Sequence, residues 1–297
     1  MTDDRKTRLD ALAVALLVGC CALWGLNQVA MKLTLVEIPP LMQASMRSLG
    51  AALLLSIWAR ARGIVLWRRD GTAPGGLLAG ALFAAEFACM FIGLQHTAAS
   101  RMVVFIYLAP FVVALGMPFV SRSERLHAVQ LVGLLAAFGG VVWAFAEGFV
   151  RPAAGARQWI GDSLGIAAAV LWGLTTLVLR ASRLATAAPE KTMLWQLLVS
   201  GVALALGSLA AGETLHAMPT PASLLPLGFQ TVIVTFASYL VWFWLIRHYP
   251  ATRLSAFTLL TPIFGLLAGV LLLGEPVTPR LLVALAAVVC GIALVNR

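Results

Sequence analysis

The sequence predicts an all-α membrane protein, with ten transmembrane helices arranged as two five-helix inverted repeats around a central cavity. Three observations carry that prediction. First, 61% of the 297 residues are hydrophobic and only 11% are charged, against roughly a quarter charged in a soluble domain. Mean hydropathy is +0.95, which is more apolar surface than a soluble fold of this length can hide, so the excess must face lipid. Second, the apolar residues fall into ten stretches separated by short joints. Third, short motifs in the first half recur in the same order in the second.

Crossing a bilayer takes ~20 mostly apolar residues. Breaking the chain at charge clusters, Pro and Gly yields spans at 10–31, 39–59, 75–95, 100–120, 127–147, 161–181, 191–211, 222–246, 252–273 and 279–296. The longest joints, 60–74 and 148–160, are too short for a soluble domain. Any chemistry therefore belongs inside the bundle or at its mouths. The first stretch, from about Leu9 to Met31, exceeds the ~7–15 apolar residues of a signal peptide. Leu17-Val18-Gly19-Cys20 matches a lipoprotein cleavage box. Cleavage there would delete the first span and unbalance the repeat, so that span is expected to be retained. Cys20, Cys21, Cys89 and Cys290 all lie in apolar stretches without CxxC spacing, so no disulfide, metal site or other cofactor is expected.

The net charge of +9 comes from 21 Lys+Arg against 12 Asp+Glu. No segment outside the spans is long enough for a nucleic-acid-binding module, and cytoplasmic loops of membrane proteins carry excess Lys and Arg. With the N-terminus cytoplasmic, fifteen Lys and Arg fall on that side and five (Lys32, Arg101, Arg151, Arg157, Arg280) on the other. The split predicts both termini in the cytoplasm and an even number of spans.

Leu23-Trp24-Gly25-Leu26 returns as Leu171-Trp172-Gly173-Leu174, 148 residues later. His96-Thr97-Ala98-Ala99-Ser100-Arg101 matches His248-Tyr249-Pro250-Ala251-Thr252-Arg253 at an offset of 152. Pro110 then aligns with Pro262, and Glu124 with Glu275. The repeats divide the chain at 1–150 and 151–297. Five spans is an odd number, so the second copy enters the membrane the opposite way round. Inverted repeats of this kind build secondary transporters, whose site lies near the midplane where the halves meet. No carbonyl filter or charge ring suggests a channel, and GxxxxGK[ST] is absent, which argues against an ATP-driven pump.

On these residues the chain resembles the drug/metabolite transporter superfamily, in its ten-helix EamA-type branch. The resemblance rests on Trp24-Gly25, Arg47, Ala98-Ala99-Ser100, Pro110 and Glu124, and on Trp172-Gly173, Ala251-Thr252, Pro262 and Gly274-Glu275-Pro276 in the second copy. It is most similar to bacterial amino-acid exporters, including those for aromatic amino acids. The resemblance implies export of small metabolites across the inner membrane. It also implies a cavity enclosed by spans 1–4 and 6–9, with spans 5 and 10 peripheral. Two departures are the lack of a basic counterpart to Arg47 in span 7, where Gln196 is the nearest polar residue, and Arg101 early in span 4.

Among the acidic residues only Glu86 sits in mid-span, where a charge costs several kcal/mol unless paired, protonated or hydrated. It is expected either to face the cavity, for a substrate ammonium or a coupling proton, or to hydrogen-bond between helices. Arg47, ~10 Å deep in span 2, is read as a structural pin or as a site for a substrate carboxylate. Trp24, Asn27, Gln28 and Met31 share one face of span 1 by their i, i+3, i+4, i+7 spacing, and Trp172, Thr175, Thr176 and Leu179 repeat that face in span 6. Met90 beside Glu86, and Ser238 and Trp242 in span 8, complete the expected substrate-binding wall. Trp58, Trp67, Trp143 and Trp159 lie near span ends, as interfacial aromatics do. Gly76-x3-Gly80, Gly161-x3-Gly165 and Gly265-x3-Gly269 are expected to let helices approach closely. Pro110 and Pro262 are expected to kink spans 4 and 9 and to serve as hinges.

The expectation is a secondary transporter for amino acids or similar amphipathic metabolites, surrounded by lipid, monomeric or homodimeric, and without a nucleic-acid partner. Efflux of cationic drugs, with Glu86 as counter-charge, is the alternative. A membrane-embedded enzyme fits less well, because His96, His127, His216 and His248 all lie at span ends. A lipid flippase is a third possibility.

Overall fold

The computed structural model describes residues 6, 8–67, 70–94, 96–97, 99–121, 125–144, 146, 157–273 and 279–295. The chain forms ten helical spans, with no strand among the described residues. Span 1 is Ala11–Leu35, span 2 Pro40–Ala61 and span 3 Ala73–Leu94. Span 4 is broken into Ala99–Ile106 and Ala109–Val120, and span 5 is Ala128–Ala144. Span 6 is Gln158–Ala181 and span 7 Pro189–Ala210. Span 8 runs as Pro221–Phe229, a π-helix over Gln230–Ser238, and Tyr239–His248. Span 9 comprises Ala251–Phe257, a 3₁₀ turn over Thr258–Leu260, and Thr261–Leu273, and span 10 is Pro279–Val295. Span 1 continues past the predicted end at Met31 to Leu35, because Lys32 limits burial in lipid and not helix formation. The division at 150/151, and with it Glu124, Ala98 and Gly274-Glu275-Pro276, lies outside the described residues.

Prolines open several spans. Pro40, Pro189 and Pro221 stand in the first turns of spans 2, 7 and 8, where the missing N–H would have had no partner anyway. Pro110 and Pro262 open the second segments of spans 4 and 9. Each break lies just before its proline, at Tyr107-Leu108 and Thr258–Leu260. That is where the ring crowds the preceding turn.

Span 1 packs against spans 8 and 9, and span 6 against spans 3 and 4. Each half thus lends its first span to the other half, giving two mixed bundles, 1-8-9 and 3-4-6. Spans 2 and 7 cross each other, span 2 also touching 8 and span 7 touching 3, while spans 5 and 10 form a separate pair. The face where span 1 begins and span 10 ends is called the terminal face below.

Glycines mark the closest crossings. A Cβ on Gly25 would lie 2.7 Å from the Gly265 nitrogen, and one on Gly173 would lie 2.4 Å from Val112. Each repeated Trp-Gly therefore sits on the segment that follows the other half's proline. Gly133 and Gly291 meet across spans 5 and 10. Gly76 and Gly80 receive Trp195 and Val199, and Gly161 and Gly165 receive Thr97 and Phe105, as small-residue crossings require.

Polar ties also obey the repeat. Thr97 Oγ1 donates to Asp162 at 2.7 Å on the face opposite the termini, where Arg101 also pairs with Asp162. On the terminal face Tyr249 donates to Asp10 at 2.9 Å, and Lys6 pairs with Asp10. Thr97 and Tyr249 hold corresponding places in the repeat, 152 apart in sequence, and each ties its joint to an aspartate near the start of spans 6 and 1, one tie in each bundle. Lys6 and the Ala13 N–H hold the half-buried Asp10 carboxyl down at about 2. Because that pKa is depressed, this tie is complete above the ordinary carboxylate range near 3.8 and lost as pH falls toward 2. Asp70, held low by Lys191 at 2.7 Å, joins the 2–3 joint to span 7. On the opposite face Glu213 accepts the Leu41 and Met42 N–H groups at 3.1 and 2.8 Å, a favourable place for an anion at a helix N-terminus.

Gly25→Val should lower the thermal midpoint of the purified protein by the equivalent of about 1–3 kcal/mol of overpacking. Gly19→Val, where a Cβ meets nothing within 4 Å, should leave it nearly unchanged. Equal midpoints in the two variants would refute the close 1–9 crossing.

Candidate functional site

A cavity of about 130 Å³ lies between the two mixed bundles. Span 1 contributes Trp24, Asn27 and Met31, and span 6 contributes Trp172, Thr175, Thr176 and Leu179. Span 2 brings Arg47 and span 7 Gln196, each seven residues past the proline that opens its span. Span 3 supplies Phe83, Glu86, Phe87 and Met90, span 4 Tyr107, and span 8 Val234, Tyr239, Trp242 and Phe243. Span 9 contributes none of these: the repeat mate of Tyr107 is Leu259, which is fully buried.

The walls are largely aromatic, with edge-to-face contacts. The Trp24 ring is 5.4 Å from Trp242 and 6.3 Å from Tyr239, and Tyr107 is 5.8 Å from Trp172. Each such pair adds roughly 0.5–1.5 kcal/mol beyond its burial, so the walls are preorganised. Arg47 is buried, with its guanidinium 4.1 Å from the Phe87 ring centre, a cation–π contact that offsets part of its desolvation. Tyr239 and Glu86 line the same cavity. Four buried polar atoms of the lining have no hydrogen-bond partner: the acceptors Asn27 Oδ1 and Glu86 Oε2, and the donors Arg47 Nε and Gln196 Nε2. Unmet groups of this kind cost about 1–3 kcal/mol each, more when charged.

The structure therefore brings together Trp24, Asn27, Glu86, Met90, Trp172, Thr176, Trp242 and Arg47. The Gln28 side chain lies outside the described residues. Ser238 is placed elsewhere than expected. It is buried behind the wall, where it accepts the Trp24 indole N–H at 2.8 Å and donates to the Val234 carbonyl at 2.6 Å. The π-helix over Gln230–Ser238 explains the difference, because its i→i+5 bonding breaks the 3.6-residue period that put Ser238 beneath Trp242. Phe83 and Phe87 share the Glu86–Met90 face and were readable from spacing. Tyr107 sits in the break of span 4 and Phe243 beyond the π-helix, where regular spacing fails.

On the terminal face, spans 4 and 9 touch directly through Val113, Met117 and Ala251. Pro110 and Pro262 stand just inside that contact and at its counterpart, at the broken ends of the same two spans.

The model of the EamA-like transporter family matches twice, over residues 11–146 and 159–297. The chain belongs to the EamA-like transporter family. It is 30% identical to the uncharacterized transporter YvbV of Bacillus subtilis, over 98% of this chain and 92% of that one. It is 26% identical to a probable amino-acid metabolite efflux pump of Escherichia coli (92% of this chain, 89% of that one) and 29% identical to one of Salmonella typhimurium (96% and 94%). A solved crystal structure with 18% identity superposes with a TM-score of 0.82 over 94% of each chain, which shows the fold. This EamA-like protein is thus a multi-pass membrane transporter, and its named relatives are transporters and efflux pumps rather than enzymes.

In this transporter, Trp24→Phe and Ser238→Ala remove the same hydrogen bond, so each should cost about 1 kcal/mol of stability. The double variant should cost little more than either alone. Fully additive losses in denaturation experiments would show that Ser238 does not hold the Trp24 ring.

Proposed function

We propose that this transporter exports amino acids or related small amphipathic metabolites across the bacterial inner membrane by alternating access. The observation that carries this reading is the joint presence, in one aromatic cavity, of a buried cation, a buried carboxylate and unpartnered polar atoms of both senses. A buried charge lacking a partner is strongly unfavourable. A zwitterion brings a carboxylate for Arg47 and an ammonium for Glu86 and Asn27, while the Trp and Phe walls take its apolar part. The two relatives named as probable amino-acid metabolite efflux pumps support the same class. Aromatic walls also favour a cationic drug, but Arg47 in the same cavity opposes that reading.

The chain is oriented with its terminal face in the cytoplasm, on the fifteen-to-five division of Lys and Arg. The direct contact of spans 4 and 9 on that face supports a conformation sealed toward the cytoplasm, with Pro110 and Pro262 as the points where these spans flex.

Proteoliposomes loaded with labelled amino acids should show efflux. Glu86→Gln should reduce it about tenfold or more, because a charge-assisted hydrogen bond of ~1.5–3 kcal/mol is lost. Full transport by this variant would make Glu86 a packing residue. Equal competition by an amine without a carboxylate would move the reading to drug efflux.

Orientation is tested by single cysteines in a background without the native four. Thr72, in the 2–3 joint, is buried and bonded to Asp70, so a thiol there would stay unlabelled on either side. The exposed Met218 and Val65 serve instead. A membrane-impermeant reagent outside intact cells should label Met218→Cys and not Val65→Cys, and the reverse pattern would invert the topology.

A further inference from the structure

The inverted repeat lets each lining group be compared with its own mate, and the comparison exposes a polarity along the cavity. Arg47 stands seven residues into span 2 from Pro40, and Gln196 seven residues into span 7 from Pro189. The two spans start on opposite faces, so Arg47 lies ~10 Å below the far face and Gln196 ~10 Å above the terminal face. Glu86 is eight residues from the end of span 3 at Leu94, ~12 Å from the far face and level with Arg47. Its mate at the offset of 152 is Ser238, which is neutral and has both a donor and an acceptor role satisfied within the protein. Both charges of the cavity therefore belong to the first repeat and lie in the far half.

The terminal half is neutral. Its lining groups include Thr175 and Thr176, whose hydroxyls donate to the Leu171 and Trp172 carbonyls, and the apolar Leu179 and Phe243. Gln196 alone among these holds a buried polar atom without a partner, its Nε2. A span-7 glutamine only 3% exposed that meets no protein acceptor is costly, and a polar ligand atom in the cavity would remove that cost.

Resting on the amino-acid reading above, we infer that the substrate is held in one orientation, with its ammonium and carboxylate at Glu86 and Arg47 toward the far face and its side chain toward the terminal face, where Gln196 reads a polar tip. Gln196 is then the residue that sets side-chain preference, separate from the pair that recognises the common amino-acid head. The side chain that suits this geometry is long, has an apolar or aromatic body for the walls between, and ends in a hydroxyl. Such a group accepts from the Gln196 amide and can donate in return. The orientation also means that a substrate loaded from the terminal face enters head first.

The test is equilibrium binding of labelled L-tyrosine and L-phenylalanine to the full-length transporter in nanodiscs. The pair differs only in the hydroxyl at the tip. Wild type should bind tyrosine about tenfold more tightly, the value of one buried hydrogen bond. Gln196→Leu and Gln196→Met should erase that preference while leaving phenylalanine affinity within about twofold, and Arg47→Gln should weaken both amino acids alike. A tyrosine preference that survives in both Gln196 variants, or no preference in wild type, overturns the inference while the amino-acid reading stands. Failure of wild type to bind either amino acid overturns both.

Discussion

The molecule is organised around two ionisable side chains, a guanidinium and a carboxyl, that lipid cannot solvate. Arg47 is almost completely buried, and Glu86 faces the same cavity. In a soluble protein water would moderate that cost, but here the bundle must supply the whole environment. Burial of the charges requires walls on every side, which is why spans from both halves converge on them. The Phe87 ring under the guanidinium and the edge-to-face aromatics around it are the means by which an apolar bundle tolerates a cation.

The exchange of spans 1 and 6 between halves follows from the same requirement. Each Trp-Gly motif puts a bulky ring next to a residue with no side chain. The ring lines the cavity, and the glycine lets the helix lie against the other half's broken span. The ties Thr97–Asp162 and Tyr249–Asp10 each join members of one mixed bundle. At the terminal face the bundles meet through the apolar contact of Val113 and Met117 with Ala251 and through Arg180, which donates to the Ile246 carbonyl at 3.1 Å.

Most of the fold was legible in the sequence because lipid imposes a length and a composition on every span, and because the repeat repeats its errors as well as its signals. Trp24, Asn27, Trp172 and Thr176 were placed by a 3.6-residue period that holds over spans 1 and 6. Ser238 escaped that logic because span 8 widens into a π-helix. Tyr107 escaped it because it stands at a helix break. No local signal announced that span 1 would leave its own half, since the glycines that permit the exchange look the same whichever helix they face. Phe83, one turn before Glu86, and Phe87, one turn before Met90, were within reach of the periodic reading.

The proposed alternating access has bundles 1-8-9 and 3-4-6 moving against each other about the cavity, with spans 4 and 9 flexing at Pro110 and Pro262. Spin labels at the two ends of spans 1 and 6 test it most directly. Ala11 and Ala181 are exposed on the terminal face, and Val36 and Trp159 on the other. Distances across the two pairs, measured by double electron–electron resonance in nanodiscs with and without a transported amino acid, should change reciprocally, one lengthening as the other shortens. Two distances that change together, or a terminal-face distance that never changes while transport proceeds, would contradict the account.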